Sequence, residues 1–492
     1  MSPSAERLDC EVAVIGCGFA GIGMGVELKR RGIDSFVILE SASDVGGTWR
    51  DNTYPGVAVD IPSFTYSFSY AQNPAWSRVF ARGNELKTYA DLCTERFELR
   101  PHIRFSSRVR EARFVDGHWR LQLGDAVLRA RYVISATGLF TEPKLPAIAG
   151  LDSFAGQRIH SARWPAAAEL RGQRVGIIGT GATSVQLVPA LARQVAKLSV
   201  FQRTPPWVLP RLDAKLSKTF QALLRTAPPL QWAIRAGTSA GTEAVMVLAI
   251  VYQKQFPLLV RAIELIARAH LRAQVRDART RAALTPRYGF GCNRPTFSNT
   301  YLSSFNRQNV VLETSGIAEV VPEGVVTRDG RTVALDTLIC ATGFKTYERG
   351  NLPTFEVHGR EGELGAYWEA NRFQAYQGAS VPGFPNFFVM IGPYTATGSS
   401  WFSIVENQAR HIARCLTHAG GRAIEVRPEA HARFFAGIQR RSKNSVFHNN
   451  GCAQSNSYYF DKHGDALFYR PASGFEAYLE SHLSPLSDYQ LL

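Results

Sequence analysis

Residues 11–40 read EVAVIGCGFAGIGMGVELKRRGIDSFVILE, and this stretch decides the fold. A short β-branched run ends in glycine, a helical pattern follows, and a second strand-like run ends at Glu40. The glycines form G-x-G-x-x-G, the pattern of a dinucleotide-binding βαβ unit. Gly16 permits the turn, Gly18 lets a pyrophosphate approach the backbone, and Gly21 lets the helix pack on the strand. Glu40 is placed to accept hydrogen bonds from an adenosine ribose.

A second unit of the same kind occupies residues 174–203. Gly179 and Gly181 follow a strand-like run, and Ser184 replaces the third glycine. That replacement affects helix packing more than contact with a phosphate. In both units the first glycine lies 24 residues before the end of the next strand, which in this unit is Arg203. The chain therefore carries two nucleotide-binding units.

The residues at the end of the second unit favour NADPH over NADH. A ribose-binding acid would indicate NADH, but the chain has Arg203 followed by Thr204. A guanidinium at this place suits a 2′-phosphate through bidentate, charge-assisted bonds. We predict that Gly179, Gly181, Thr183, Arg203 and Thr204 bind NADPH. The alternative is that Arg203 is an ordinary surface arginine.

Cysteine usage bounds the redox chemistry and the compartment. The seven cysteines, at 10, 17, 93, 292, 340, 415 and 452, include no C-x-x-C pair. The first ten residues contain no apolar signal region. These features predict reduced thiols and a cytoplasmic protein, and they argue against a disulfide reductase. Two nucleotide units without a redox pair indicate a flavin, FAD, that is reduced by a nicotinamide.

Charge and hydropathy exclude some partners. The net charge is +15, and residues 213–285 carry 11 Lys or Arg against four acids, but no nucleic-acid motif appears. The basic excess fits a solvated helical face, or attraction of phosphate-bearing cofactors or an anionic membrane surface. The apolar run Ala244 to Tyr252 has nine residues, too few to span a bilayer, and predicts a buried helix face.

Residues 154–165, FAGQRIHSARWP, match F-x-G-x-x-x-H-x-x-x-W-P. By this motif, placed just before the second glycine loop, the chain resembles the type I Baeyer–Villiger monooxygenases over nearly its whole length. The resemblance implies an α/β fold of two Rossmann-like domains, for FAD and NADPH, with a helical insertion. The predicted segments are 1–148 and 344–492 for the FAD domain, 149–212 and 286–343 for the NADPH domain, and 213–285 for the insertion.

Further segments resemble the family's site residues. Gly46-Gly47-Thr48-Trp49, with Asp60 beyond it, is similar to the flavin-contacting segment, and the stretch 291–295, GCNRP, is similar to the one that carries the active-site arginine. The resemblance implies that FAD is bound by Gly16, Gly18, Gly21, Glu40, Gly47, Thr48, Trp49, Asp60, Val109 and Gly392. It also implies that His160 is a linker residue that organises domain motion and has a structural hydrogen bond, and that Trp164 packs.

The resemblance also implies a reaction. NADPH reduces FAD, O2 adds at flavin C4a, and the resulting C4a-peroxyflavin attacks a ketone to give an ester or lactone. A fixed cation stabilises the anionic peroxide and the oxyanion adduct in a site that excludes water. Arg294 matches the family's arginine, and Asp60 matches the carboxylate that positions it. We predict that these two residues are catalytic.

Departures from the family pattern keep alternatives open. Asn293 stands where the family usually has lysine, and Val57-Ala58-Val59 replaces a more typical Ala-Arg-Cys. The nearest alternative is a flavin monooxygenase that oxygenates sulfur or nitrogen, and a second is a non-catalytic flavin or NADPH-binding protein. The expected substrates are O2 and a hydrophobic small molecule, which the resemblance to the family implies is a ketone.

Overall fold

The structure, a computed structural model, describes residues 7–398 and 400–492. The strands are β1 Cys10–Ile15, β2 Phe36–Leu39, β3 Ile103–Arg104, β4 Glu111–Val115, β5 His118–Leu123, β6 Ala126–Ser135, β7 Gln157–His160, β8 Arg174–Ile178, β9 Lys197–Phe201, β10 Val208–Leu209, β11 Thr296–Phe297, β12 Val310–Glu313, β13 Ile317–Val321, β14 Gly324–Thr327, β15 Thr332–Ala334, β16 Thr337–Cys340, β17 Glu356–His358, β18 Phe387–Val389, β19 Ile424–Val426 and β20 Tyr489–Leu491. The α-helices are α1 Phe19–Arg30, α2 Thr48–Asp51, α3 Gly83–Arg96, α4 Ala182–Leu191, α5 Lys218–Thr226, α6 Pro228–Met246, α7 Pro257–Gln274, α8 Ala278–Ala283, α9 Tyr301–Ser304, α10 Leu364–Asn371, α11 Trp401–Ala419, α12 Pro428–Ser442, α13 Val446–Asn449 and α14 Gly474–Leu483.

The first sheet is built around the first glycine unit. Its order is β17-β4-β5-β6-β1-β2-β3, with β18 also pairing with β6. Strand β1 lies parallel to β2 and β6, while β4, β5 and the first half of β6 form an antiparallel meander. The central strands are hydrophobic on both faces because helices cover them, as expected for parallel strands. Helix α1 packs against α11 on this sheet.

The second sheet is built around the second glycine unit. Its five strands are all parallel, in the order β12-β9-β8-β16-β7. A separate meander of β13, β14 and β15 lies between β12 and β16 along the chain. One mixed sheet and one parallel sheet, each with a glycine turn after a parallel strand, confirm the predicted α/β fold of two Rossmann-like domains. The predicted segment boundaries stay predictions.

The insertion is helical, as its periodicity indicates, and consists of α5, α6, α7 and α8. A π-helical turn, Val247–Val251, extends α6. The predicted buried face is only half right, because Val247 and Ile250 are buried while Ala244 and Val245 are exposed. By length and composition alone the helix Pro228–Val251 would suffice to cross a membrane, and 28% of its apolar window is buried.

The prediction of seven reduced cysteines is wrong for one pair. Cys292 and Cys452 form a disulfide, with their Cα atoms 5.1 Å apart. The other five cysteines are free and buried. The two partners are separated by 160 residues in sequence, so no local spacing could announce the bond.

Candidate active site

The first glycine of each loop packs against an Ala-Thr-Gly tripeptide. Gly16 and Gly179 have φ angles of +105° and +109°, which disfavour any residue with a side chain. A Cβ on Gly16 would lie 2.7 Å from the carbonyl oxygen of Ala136, and one on Gly179 would lie 2.6 Å from that of Ala341. Each tripeptide follows the strand next to the loop's own strand, β6 or β16. Both loops therefore need glycine for the same local reason.

The third position differs between the two loops. A Cβ on Gly21 would collide with the carbonyl oxygen of Gly16, so only glycine lets α1 approach β1 this closely. In the second loop the hydroxyl of Ser184, which is fully buried, donates to the carbonyl oxygen of Gly179 at 2.8 Å. In the first loop Gly21 lies directly against Gly16, whereas in the second loop a hydrogen bond from Ser184 joins the helix to Gly179. The replacement therefore affects helix packing, as predicted.

Each loop ends at a helix N-terminus that is open to an anion. Gly18 and Gly181 are the N-cap residues of α1 and α4, and neither helix has a side-chain cap or an acid in its first turn. A Cβ on Gly18 would meet only Gly47, at 3.7 Å, and one on Gly181 would meet nothing within 4 Å. Free N–H groups and this open approach fit the pyrophosphates of FAD and NADPH.

Glu40 lies where a ribose-binding acid is expected. It is buried at the carboxyl end of β2, and its Oε2 accepts from the backbone N–H of Cys17 at 2.8 Å. Its Oε1 accepts from the N–H of Ala42 at 2.9 Å and pairs with Arg50 at 3.1 Å. These contacts fix the carboxylate beside the first glycine loop, on the cavity wall.

Both glycine loops open onto one cavity of about 2740 Å³. The predicted site residues that line it are Gly16, Gly18, Glu40, Gly47, Thr48, Trp49, Asp60, Val109, Gly179, Gly181, Thr183, Arg203, Thr204 and Arg294. Gly21 and Gly392 lie outside the lining, and a Cβ on Gly392 would collide with the carbonyl oxygen of Gly378. Gly392 therefore packs closely against the backbone of Gly378, and its flavin contact stays a prediction.

Arg294 and Asp60 form a bidentate ion pair on the cavity wall. Nε of Arg294 donates to Oδ2 of Asp60 and Nη2 donates to Oδ1, each at 2.7 Å. The two side chains come from loops 234 residues apart in sequence. They keep 33% and 25% of their surfaces exposed, so the pair is accessible from the cavity.

Burial and pairing act in opposite directions on the two pKa values. Burial alone would raise the pKa of Asp60, but the Arg294 charge and its hydrogen bonds hold it below its ordinary value. Burial would lower the pKa of Arg294, but Asp60 holds it well above its ordinary value. Both groups therefore stay ionised at neutral pH, which keeps a fixed positive charge in the cavity.

The loop that carries Arg294 is tied to the C-terminal segment. Cys292 is bonded to Cys452, and the side-chain amide of Asn293 donates to the carbonyl oxygen of Ser455 at 2.6 Å. Asn293 thus has a structural bond where the family pattern has lysine. The same segment brings Tyr458 to the cavity, where burial raises its pKa against the opposing effect of Arg294.

Arg203 and Thr204 lie at the carboxyl end of β9. Arg203 is exposed on the cavity wall and has no ion pair within the described residues. Thr204 is held in place, since its carbonyl oxygen accepts from Thr180 at 2.6 Å and its hydroxyl accepts from Asn456 at 3.0 Å. The guanidinium is therefore free to bind an anionic ligand.

His160 and Trp164 lie near the linkers between the sheets. The backbone N–H of Ala162 donates to Nδ1 of His160 at 3.1 Å, and burial lowers the pKa of this histidine. His160 lies outside the cavity lining. Trp164 lines the cavity and also packs against the core of the second domain. A role of His160 in domain motion stays a prediction.

The sequence reading missed one wall of the cavity. Ile234, Thr238, Thr242 and Met246 of α6 all line it. Their spacing of four residues places them on one stripe of the helix. That periodicity is visible in the sequence, but nothing local indicates that the stripe faces the cavity.

Comparisons with known proteins agree with this geometry. The profile of the family described as pyridine nucleotide-disulphide oxidoreductase matches residues 13–228. A Baeyer-Villiger monooxygenase of Streptomyces coelicolor is 39% identical over 490 residues, which cover 98% of this chain and 92% of that protein. The solved complex of OTEMO with FAD and NADP has a TM-score of 0.87 at 27% identity, covering 99% of this chain and 100% of that one.

A further solved structure is a cyclohexanone monooxygenase bound to epsilon-caprolactone. It has a TM-score of 0.83 at 26% identity and covers 98% of this chain and 99% of that one. Three observations indicate the same family. They are the two glycine loops, the Arg294–Asp60 pair, and the similarity to named relatives over nearly the full length of the chain. The chain therefore belongs to the Baeyer–Villiger monooxygenases, and it is a flavin-dependent enzyme that uses FAD and NADPH to insert an oxygen atom next to a carbonyl.

Proposed function

We propose that the substrate is an apolar ketone, which becomes an ester or lactone, and that Arg294 is the catalytic cation. The observation that carries the proposal is the bidentate pair of Arg294 with Asp60 on the wall of the cofactor cavity. Bound FAD supplies electrons from NADPH for the activation of O2. The protein supplies the fixed positive charge, the shape of the substrate cavity and the exclusion of water.

Arg294 acts by electrostatic stabilisation. Negative charge develops on the attacking oxygen and then on the former carbonyl oxygen of the substrate. A guanidinium held close to both lowers the barrier, and its effect is largest where water is excluded. Arginine cannot quench an anionic oxygen by giving up its own proton, because its pKa is too high. Asp60 is a positioning residue, because it fixes the direction of the guanidinium.

The apolar character of the substrate is supported by the cavity beyond this pair. Phe140, Trp401 and Ile404 line it together with Ile234 and Met246 of α6. Such a lining favours a hydrophobic molecule with one polar group to orient. The neighbouring cyclohexanone monooxygenase, which binds epsilon-caprolactone, is named for a small cyclic ketone.

Product analysis tests this proposal. The holoenzyme is supplied with NADPH, O2 and a panel of cyclic, aryl and long-chain ketones plus a thioether, and the products are identified by mass spectrometry. We expect ester or lactone from at least one ketone, formed in step with NADPH consumption. Sulfoxide formation without any ester would assign the enzyme to sulfur oxygenation instead.

Arg203 should select NADPH. Replacing Arg203 with alanine removes a charged contact to the 2′-phosphate worth about 1.5–3 kcal/mol, so the KM for NADPH should rise roughly 10- to 150-fold. The KM for NADH, which lacks that phosphate, should stay almost unchanged. The Arg203→Lys variant keeps the charge but cannot form two parallel bonds to the phosphate. Its KM for NADPH should therefore lie between those of the wild type and of Arg203→Ala. Equal increases for both nucleotides would show that Arg203 does not read the phosphate.

We also propose that the enzyme acts in the cytoplasm. Five of its seven cysteines are free thiols, and structural disulfides concentrate in oxidising compartments. The Cys292–Cys452 bond is an exception to this pattern. Monooxygenase activity in the cytoplasmic fraction of the cells would support this location. The same activity among the secreted proteins would contradict it.

A further inference from the structure

The outer face of α6 carries no charge. Trp232, with 59% of its surface exposed, begins this face, and Ala236, Ala240, Ala244 and Val245 continue it. The other exposed positions of the helix are alanine, glycine and proline. A surface helix of a globular protein normally turns its charged residues to water. This helix of 19 residues instead exposes only uncharged residues over its whole length.

The two charged side chains of α6 are both turned towards the protein. Arg235 is buried and donates to the carbonyl oxygens of Phe64 at 3.0 Å and Ser67 at 2.8 Å. Glu243 accepts from the backbone N–H groups of Gly474 and Phe475. These bonds hold the uncharged face outward in one orientation.

The bonds to Glu243 also hold the N-terminal end of α14 next to α6. Helix α14 exposes four large apolar or aromatic side chains on one face: Phe475, Tyr478, Leu479 and Leu483. Phe475 is 66% exposed and Leu483 is 70% exposed. We name the exposed residues of α6 and α14 together the outer apolar face. Large apolar side chains clustered on one exposed helix face mark a site of interaction.

Positive side chains without an ion-pair partner among the described residues lie on and just before the helix that leads into α6. Helix α5, which leads into α6, exposes Lys218 and Arg225, and Lys215 precedes it. None of these three has an ion pair in residues 7–398 or 400–492. The outer apolar face therefore adjoins a surface that attracts anions.

The four acids of the insertion offset only part of its positive charge, since residues 213–285 contain eleven Lys or Arg. Asp213 pairs with Arg78, and Glu264 accepts from the N–H of Phe290. Asp277 caps α8 through the N–H of Thr280, and Glu243 is bonded to α14. All four acids of residues 213–285 are thus engaged within the protein.

We propose that the outer apolar face docks on the interfacial layer of an anionic phospholipid bilayer. Uncharged helix faces with aromatic residues, bordered by lysine and arginine, are the features that place a protein in this layer. The opposite stripe of α6, which includes Thr238 and Thr242, lines the catalytic cavity. A single helix therefore separates the bilayer surface from the space that receives an apolar substrate.

The helix lies on the membrane and does not cross it. Its inner stripe is part of the cavity wall, and Arg235 fixes it to the first domain. Crossing the bilayer would require it to leave these contacts. The surface described here therefore belongs to the folded enzyme.

Vesicle co-sedimentation tests the proposal. The holoenzyme is mixed with vesicles of phosphatidylcholine alone, or of phosphatidylcholine with phosphatidylglycerol, and the bound fraction is measured by flavin absorbance. We expect binding to the anionic vesicles, much less to the neutral ones, and release at about 0.5 M salt. No binding to the anionic vesicles, or equal binding to both kinds, would overturn the proposal.

Charge placed on the outer apolar face identifies the docking surface. The double variant Ala236→Glu, Ala240→Glu should lower the affinity for anionic vesicles by at least about tenfold. The matched control is Thr88→Glu, Leu92→Glu, with the same spacing on exposed positions of α3. It adds the same charge elsewhere and should bind like the wild type. Equal binding by both double variants would overturn the assignment.

A second copy of the chain is the competing occupant of this face. Light scattering without lipid measures the oligomeric state of the wild type and of the Ala236→Glu, Ala240→Glu variant. We expect both to have the same mass. An oligomer that this pair of substitutions breaks into monomers would assign the face to self-association and overturn the membrane proposal.

Discussion

Replacing Arg294 with alanine should abolish ester formation and leave FAD bound. The side chain meets the first domain through Asp60 and not through the glycine loop that holds the flavin's pyrophosphate. Removing a preorganised charge from a site that stabilises an oxyanion costs at least about 100-fold in rate. We therefore expect normal flavin absorbance and a product yield reduced by at least about 100-fold.

Three measurements separate this role from a structural one. Flavin content shows whether the variant binds FAD, NADPH oxidation shows whether the flavin is still reduced, and product analysis shows whether oxygen reaches the ketone. We expect NADPH oxidation to outpace product formation in Arg294→Ala. Wild-type ketone turnover in this variant would remove Arg294 from the mechanism.

Two further variants test the pairing itself. Arg294→Lys keeps the charge but cannot form the bidentate bond, so its ester formation should lie between that of the wild type and of the alanine variant. Asp60→Ala leaves the guanidinium without its partner, so turnover should also fall although the charge remains. If Asp60→Ala matches the wild type, the carboxylate does not position the arginine.

The glycine loops could be predicted because each is a local feature. The turn, the close approach of a phosphate and the following helix all fall within a few residues of Gly16 or Gly179. The sequence also contains two Ala-Thr-Gly tripeptides, at residues 136–138 and 341–343, each after a strand. In the structure Ala136 and Ala341 fill the space beside these two glycines. The repeat therefore has a packing reason that only the order of the strands reveals.

The features that the sequence could not reveal depend on distant contacts. The Cys292–Cys452 bond joins residues 160 positions apart, and the cavity wall of α6 depends on how the insertion docks. The flavin contact of Gly392 stays a prediction. Its resemblance to a flavin contact came from sequence alone, whereas its neighbour in the structure is the backbone of Gly378.

Replacing Gly18 with valine should yield a folded protein that has lost FAD. Gly18 has φ −77°, which a valine adopts without strain, and the nearest atom to a new Cβ is Gly47 Cα at 3.7 Å. The protein itself therefore has room for a Cβ at this position. The pyrophosphate does not, because it must approach this backbone to reach the N–H groups of α1. Losing those charge-assisted bonds should weaken FAD binding by at least about 100-fold.

Gly181 provides the matched control, because it occupies the same place in the second loop. It caps α4 with φ −73°, and a Cβ there would meet nothing within 4 Å. Gly181→Val should therefore stay yellow but be reduced only slowly by NADPH. The reduction of its flavin by dithionite should be normal.

Circular dichroism should show that both variants are folded, whereas Gly21→Val should fail to fold because its side chain would collide with Gly16. Undiminished flavin in folded Gly18→Val would show that the first loop does not hold FAD, and loss of flavin from both valine variants would show that the two loops do not bind separate cofactors.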